Sequence, residues 1–355
     1  MLNSLKPALI SMFNIPYSIF LVSCLTFAAI TFGSAQAKET RDAHVDKAIQ
    51  SGLSIVQKAA SNYPSHRQCF SCHHQTLPLL AMREAEAAGL TFDEDVAKVI
   101  EDHTFKSFST RIEKLNAGER IGGRANTVSY GLWALELADH EQDETTTAMV
   151  QFLLKNQQEN GRWVPPSKRP PLEGSQVAVT VLSAYYMSQF ANDDQRDDVD
   201  TAVAKARDWL NDAELKSQDD YNFRLWGLVL LEDEADKSSQ MARTELHDAI
   251  LAAQRDDGGW SQLPDMESDA YATGQTLFVL AESGISKDSS AIEVGIAFLL
   301  NQQRDDGSWL VETRAKPVQV FFDNGDPHGK SQFISIAATG WATAALARVK
   351  RLRDK

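Results

Sequence analysis

Three stretches of this chain repeat one another, and that self-similarity restricts the fold more than any other feature. Phe152 to Trp163 reads FLLKNQQENGRW, Ile250 to Trp260 reads ILAAQRDDGGW, and Phe298 to Trp309 reads FLLNQQRDDGSW. Trp260 and Trp309 stand 49 residues apart and Trp163 and Trp260 stand 97 apart, so one degenerate unit lies between the first two. A fixed period of this size is the signature of stacked supersecondary units. Each unit reads as an amphipathic helix, a Gly-rich turn and a second, more apolar helix. In one of them Leu246, Ile250 and Leu251 lead to Gln254, Asp257-Gly258-Gly259 breaks the helix, and Tyr271 to Leu280 forms the second. The degenerate unit follows the same plan, with Val203 to Leu210 as its first helix and Tyr221 to Leu231 as its second.

Counting back at the same step gives GRANTVSYGLWALELA as the second helix of an earlier unit and HHQTLPLLAMREAEAAG as that of the unit before it. The units begin near residues 45, 94, 144, 198, 243 and 288. Six such hairpins predict an all-α fold in which an inner ring of helices sits within an outer ring and the array closes on itself. An open solenoid is the alternative; six units and an apolar second helix favour closure.

The Gln-x-x-x-Gly-x-Trp element resembles the QW repeat of squalene and oxidosqualene cyclases, and the whole period looks like the prenyltransferase and squalene oxidase repeat. The resemblance is strongest from Phe152 to Leu346 and weaker in the first two units. It implies the six-hairpin α/α toroid of terpenoid cyclases and protein prenyltransferase β-subunits. It also implies a structural role, tying each outer helix end to its neighbour, for Gln157 or Gln158 with Trp163, Gln254 with Trp260, and Gln302 or Gln303 with Trp309.

The chemistry of those families does not carry over as readily as the scaffold, which leaves enzymatic activity open. The Asp-x-Asp-Asp acid of the cyclases has no intact counterpart. The nearest string, Asp197 to Thr201, starts an outer helix, where acids serve as N-terminal caps and dipole partners. The zinc site of protein prenyltransferases needs a cysteine, and none exists in the repeats beyond Cys69 and Cys72. Asp323, Asp326 and His328 cluster in FFDNGDPHGKSQ, a composition that favours a loop with Asx turns over a metal site. Aromatic residues of the inner helices, among them Tyr130, Trp133, Trp226, Phe278 and Trp341, either fill the toroid centre or line a cavity.

The sharpest chemical signal is HRQCFSCHHQTLP. Two thiols three residues apart can add across haem vinyl groups, and the following histidine is then placed to ligate the iron. On this reading Cys69 and Cys72 carry a c-type haem, His73 is the proximal iron ligand, and the sixth position falls to His66 or His328, to Met82, or stays open. Zinc held by Cys69, Cys72, His73 and His66 or His74, and a plain Cys69-Cys72 disulfide, are the alternatives. The segment replaces the Gly-Trp turn of the first unit. Residues opening the other inner helices therefore face the same rim: Arg124, Asn126, Gln176, Arg224, Tyr271, Gln275 and Gln332, the last beside His328.

The N-terminus fits that chemistry, because haem attachment takes place outside the cytoplasm. A lone Lys6, an apolar stretch from Ile19 to Phe32 and the small-x-small site Ala35-Gln36-Ala37 predict a secretory leader over 1–37, cleaved after Ala37. A single toroid domain over 38–355 follows, periplasmic or secreted and without a stable membrane span. A lipoprotein tethered through Cys24 is a weaker reading, because the apolar run continues past that residue. A net charge of -14 repels phosphate backbones, so nucleic acid is excluded as a partner. The expected function is therefore that of an exported haem-binding toroid, engaged with a redox partner or an apolar small molecule. A divergent terpenoid cyclase or isomerase and a non-catalytic binding scaffold are the rivals.

Overall fold

The computed structural model describes residues 18–165, 169–232, 236–286, 289–316 and 320–354. The first part of the predicted leader, with Lys6, and the predicted unit start at 288 lie outside these. The chain divides into two compact units, Met1–His44 and Val45–Lys355. Among the described residues no helix is long and apolar enough to cross a membrane.

The second unit is built from paired helices. In chain order they are α1 (Ser18–His66, entering the unit at Val45), α2 (Thr76–Ala87), α3 (Glu94–Ser109), the short α4 (Ile112–Ala117), α5 (Arg124–Leu137), α6 (Glu144–Asn156) and α7 (Gln176–Gln189). Then follow α8 (Arg196–Asn211), α9 (Gln218–Leu231), α10 (Lys237–Ala252), α11 (Ala270–Glu282), α12 (Ser290–Gln302) and α13 (Gln332–Asp354). Twelve of these alternate between an outer and an inner position, as the repeat predicts. The extra helix, α4, has no counterpart in the repeat pattern.

Amphipathicity assigns the layers. The outer α8 buries Val199, Ala202, Val203, Ala206 and Leu210, a single stripe at helical spacing, and exposes its acids. The inner α11 is buried all round, from Ala270 through Ala281. Inner helices pack on one another in sequence, α2 on α5, then α7, α9, α11 and α13, and α13 packs back against α2. That last contact closes the ring, so the fold is an α/α toroid and not an open superhelix. Many of the helices begin with a polar cap. Asp143 and Thr146 form a reciprocal capping box on α6, Ser217 and Asp220 one on α9, and Asp269 accepts from the Ala272 amide of α11.

Three turns repeat one set of contacts. Trp163, Trp260 and Trp309 are fully buried. Each indole donates to the carbonyl ten residues earlier: Leu153 at 2.9 Å, Ile250 at 2.7 Å and Leu299 at 2.8 Å. Gln157, Gln254 and Gln303 each donate both to their own turn glycine and to the next outer helix, at Ala202, Ala291 and Ala48. The bond from Gln303 to Ala48 joins the last unit to the first. The structure thereby selects Gln157 over Gln158 and Gln303 over Gln302. Glycine is required at these turns: Gly161, Gly258 and Gly307 have φ near +90°, and an added Cβ would sit 2.1, 2.7 and 2.6 Å from carbonyl oxygens of the next outer helix.

The toroid centre is filled. Trp133 packs against Trp226 at 5.2 Å between ring centroids, Tyr186 at 5.6 Å and Trp341 at 6.0 Å, and Phe278 packs against both Trp226 and Trp341. The inner aromatics therefore form a plug, and open space lies at the rim where the inner helices begin.

Candidate functional site

The first hairpin turns without the Gly-Trp element. After α1 the chain makes a polar bend in which the Ser71 amide donates to Gln75 Oε1 at 2.7 Å and the Ser71 carbonyl accepts from the amides of His74 and Gln75. The Cys72 carbonyl then accepts from Leu77, launching α2. His103 of α3 lies 3.1 Å from the Cys69 carbonyl and Ser107 donates to that of Gln68, so the bend is pinned from the neighbouring unit.

This bend opens onto a cavity of 830 Å³ bordered by Cys69, Cys72 and His73. Its walls are apolar, with Phe70, Phe108, Phe333 and Ile334 among them, and the starts of α5 and the 169–173 loop complete it. Arg111, Lys316 and Lys330 border it, their side chains making no hydrogen bond or ion pair to a described residue, whereas Arg169 pairs with Glu173. Volume and lining are those of a ligand pocket.

The thiols are free, and Cys69 Sγ lies 3.5 Å from the Tyr63 hydroxyl. Burial pushes the Cys72 thiol up to about 12 and pulls His73 down to about 3, the charge of Arg169 adding to the second effect. At neutral pH the pair is thus a protonated thiol and a neutral imidazole. His74 is fully buried on the other side of the bend, stacked on Tyr63 with centroids 4.4 Å apart, its Nε2 2.6 Å from Asn324 Nδ2. Among the described residues no group of three or more His, Cys, Asp or Glu side chains is arranged to hold a metal ion by itself.

The other sequence-predicted residues divide. Asn126 borders the same cavity. Tyr271 and Gln275 border a second, smaller one of 230 Å³, which shares Pro170 and Pro171 with the first. Neither of the proposed sixth ligands comes to the cavity: His66 stacks on Phe322, and His328 Nε2 lies 2.7 Å from Ser308 Oγ. Met82 is buried within α2. Arg224 is buried and bonds Asn211, Gln176 is exposed, and Arg124 opens α5 at φ 45°. Gln332 is buried and holds the 322–324 loop through the Phe322 carbonyl and the Asn324 amide. Asp323 and Asp326 accept from the backbone of Gly325 and His328, the Asx turns their composition suggests, and Asp197 and Asp198 lie exposed in the first turn of α8.

One residue escaped the sequence reading. Asp219 is buried at the start of α9, and burial pushes its carboxyl up to about 7. It accepts from Tyr271 and Gln275, residues one repeat later on the adjacent inner helix, so the period itself was the available signal.

No family model matches this chain, and no curated protein does. Solved structures do. A variant of the type II terpene cyclase MstE from Scytonema in complex with merosterolic acid A superposes with a TM-score of 0.57 at 13% identity, covering 88% of this chain and 99% of that one. Another MstE variant, in complex with geranylgeranyl dihydroxybenzoate, gives 0.55 with the same identity and coverage. The unsaturated glucuronyl hydrolase of Bacillus sp. GL1 gives 0.51 at 14% identity, over 84% of this chain and 96% of that one. At such identities the likeness establishes the architecture shared by all three, an α/α toroid.

Proposed function

We propose that this chain is an exported protein, its leader cleaved after Ala37, that binds a c-type haem at the rim of the toroid through Cys69, Cys72 and His73. It then serves in electron transfer or in haem-dependent chemistry on an apolar small molecule. The observation that carries the reading is that all three residues border one apolar cavity of 830 Å³. The side chains fit the group in three respects. The thiols are joined in no disulfide, and net addition of S–H across a vinyl bond would place the sulfur on one carbon and the proton on the other. His73 is neutral, as an iron ligand must be. Arg111, Lys316 and Lys330 offer cationic partners for two carboxylates at the border of an otherwise apolar pocket. When bound, haem supplies a one-electron couple or an iron with an open position. His73 would hold it from the bend, and the aromatic walls would keep water from its faces.

The test is a visible spectrum of protein matured in a host with cytochrome c assembly machinery, before and after acid-acetone extraction. A Soret band that stays with the protein supports the reading, and its disappearance from a Cys69→Ala, Cys72→Ala double variant assigns the attachment. A colourless protein with intact thiols overturns it. The fold of MstE, solved with geranylgeranyl dihydroxybenzoate, favours a second reading as a divergent terpenoid cyclase or isomerase. The aromatic plug at the toroid centre opposes it, since a cyclised chain needs that space.

A further inference from the structure

The second rim cavity, of 230 Å³, is walled by the starts of α9 and α11, by the 170–175 loop and by Arg314. Asp219 and Asp220 border it, Asp269 bonds its Gln262, and the three carboxylates are not equivalent. Asp220 accepts from the amides of Lys216 and Ser217 and from the hydroxyls of Ser175 and Ser217, and Asp269 accepts from the Ala272 amide and Gln262 Nε2. Both are consumed as helix caps. Asp219 caps nothing, yet it is only 7% exposed. Both hydrogen bonds it receives, from Tyr271 Oη at 3.2 Å and Gln275 Nε2 at 2.9 Å, fall on Oδ1, and Oδ2 takes none from the described residues. Gln218, 8% exposed, spends its Nε2 on Asn222 and leaves Oε1 unpaired. Arg314, an exposed residue, donates from Nε to Gln262 Oε1 at 2.7 Å, and its two terminal nitrogens bond none of the described residues.

Asp219 and Gln218 are each more than nine-tenths buried and keep an oxygen at this cavity that no described residue bonds, and the exposed Arg314 completes its border. Two acceptor oxygens and a two-nitrogen donor fork want a molecule with a donor at one end and a planar acceptor at the other. A simple anion would suit Arg314 and meet the Asp219 carboxylate; a simple cation would suit Asp219 and meet Arg314. A zwitterion satisfies both. The space equals that of about eight water molecules, which suits a molecule of few non-hydrogen atoms. We infer that this cavity binds a small α-amino acid, its carboxylate on the terminal nitrogens of Arg314 and its ammonium on Asp219 Oδ2 and Gln218 Oε1.

The charged and titratable groups around Asp219 are Asp220 beside it, Tyr271 of α11, Tyr130 of α5 and Arg314, with Lys216 at the cavity border and Asp265 and Asp269 acting on Arg314. With burial holding Asp219 up to about 7, the empty site is partly protonated at neutral pH, and a seated ammonium displaces that proton to solvent.

Calorimetric titration of the full chain with L-alanine, in two buffers of different ionisation enthalpy, tests this. The expected result is binding with proton release at pH 7, and affinity at least about tenfold weaker for lactate and for ethylamine, each lacking one pole. Arg314→Gln should weaken alanine by a similar factor, and Asp219→Asn should abolish the buffer dependence, with melting curves confirming that both variants fold. Absence of heat with alanine at millimolar concentration, or lactate binding as tightly as alanine to the unmodified protein, overturns the inference. The outcome is independent of whether Cys69 and Cys72 carry a haem.

Discussion

The turn of the first hairpin and those of the third, fifth and sixth occupy equivalent places in the ring but are built on opposite principles. In the latter three a buried indole, a glutamine and a glycine close the turn onto the next outer helix, and no space remains. In the first, Ser71, His74 and Gln75 hold the bend with side-chain polar bonds, Asn324 reaches it from 250 residues away, and an 830 Å³ cavity opens beside it. A toroid with six equal staples would be a scaffold with no room at its rim. Three staples hold their hairpins to the next outer helix, and the first turn, built without one, opens onto the cavity.

Truncation separates the two kinds of turn most strongly. Trp260→Ala should cost about 3 to 5 kcal/mol in urea unfolding, since the indole is fully buried and hydrogen-bonded. Phe70→Ala, which enlarges a cavity already present, should cost clearly less. Equal losses would break the distinction. A methyl added at a glycine sharpens it. Gly258→Ala places a carbon 2.7 Å from the Val294 carbonyl oxygen at φ 87°, so the loss should exceed the roughly 1 to 2 kcal/mol of left-handed strain alone. Gly89→Ala, at φ 79° with nothing within 4 Å, should show only that strain.

The smallest expected effect is a pH dependence in the rim. Asp219 has its folded pKa raised to about 7 from an ordinary 3.8, so its favourable contribution is complete below 3.8 and is lost as pH rises to 7. His73 runs the other way: lowered to about 3 from 6.5, it contributes fully above 6.5 and loses that as pH falls towards 3. Asp219→Asn removes the first dependence and leaves the second. Its melting temperature relative to the unmodified chain should rise by a few degrees between pH 4 and pH 8. No change in that difference would show that Asp219 is solvated in the folded state.

The fold was legible because its determinants are local and recur: three Gly-Trp turns advertise the hairpins around them, and counting at their step gives the other units of the ring. The short α4 was not, because it falls between two repeats and leaves no periodic trace. Cys69, Cys72 and His73 stand together in the sequence, and the structure sets all three on one cavity. Asp219 was not legible, because its neighbour Asp220 carries a capping signature that explains an acidic pair away, and its partners lie 52 and 56 residues further on. His66 and His328 were drawn to the iron by composition alone. Their actual partners, Phe322 and Ser308, are set by how the 320–331 loop folds over the bend, which no spacing rule encodes.

Intact mass of the protein recovered from the periplasm of a host competent in cytochrome c assembly tests the central claim most directly. The account predicts a chain beginning at Lys38 and heavier by one haem, with that increment absent from the Cys69→Ala, Cys72→Ala variant. A chain of unmodified mass, with both thiols still titratable, would contradict it.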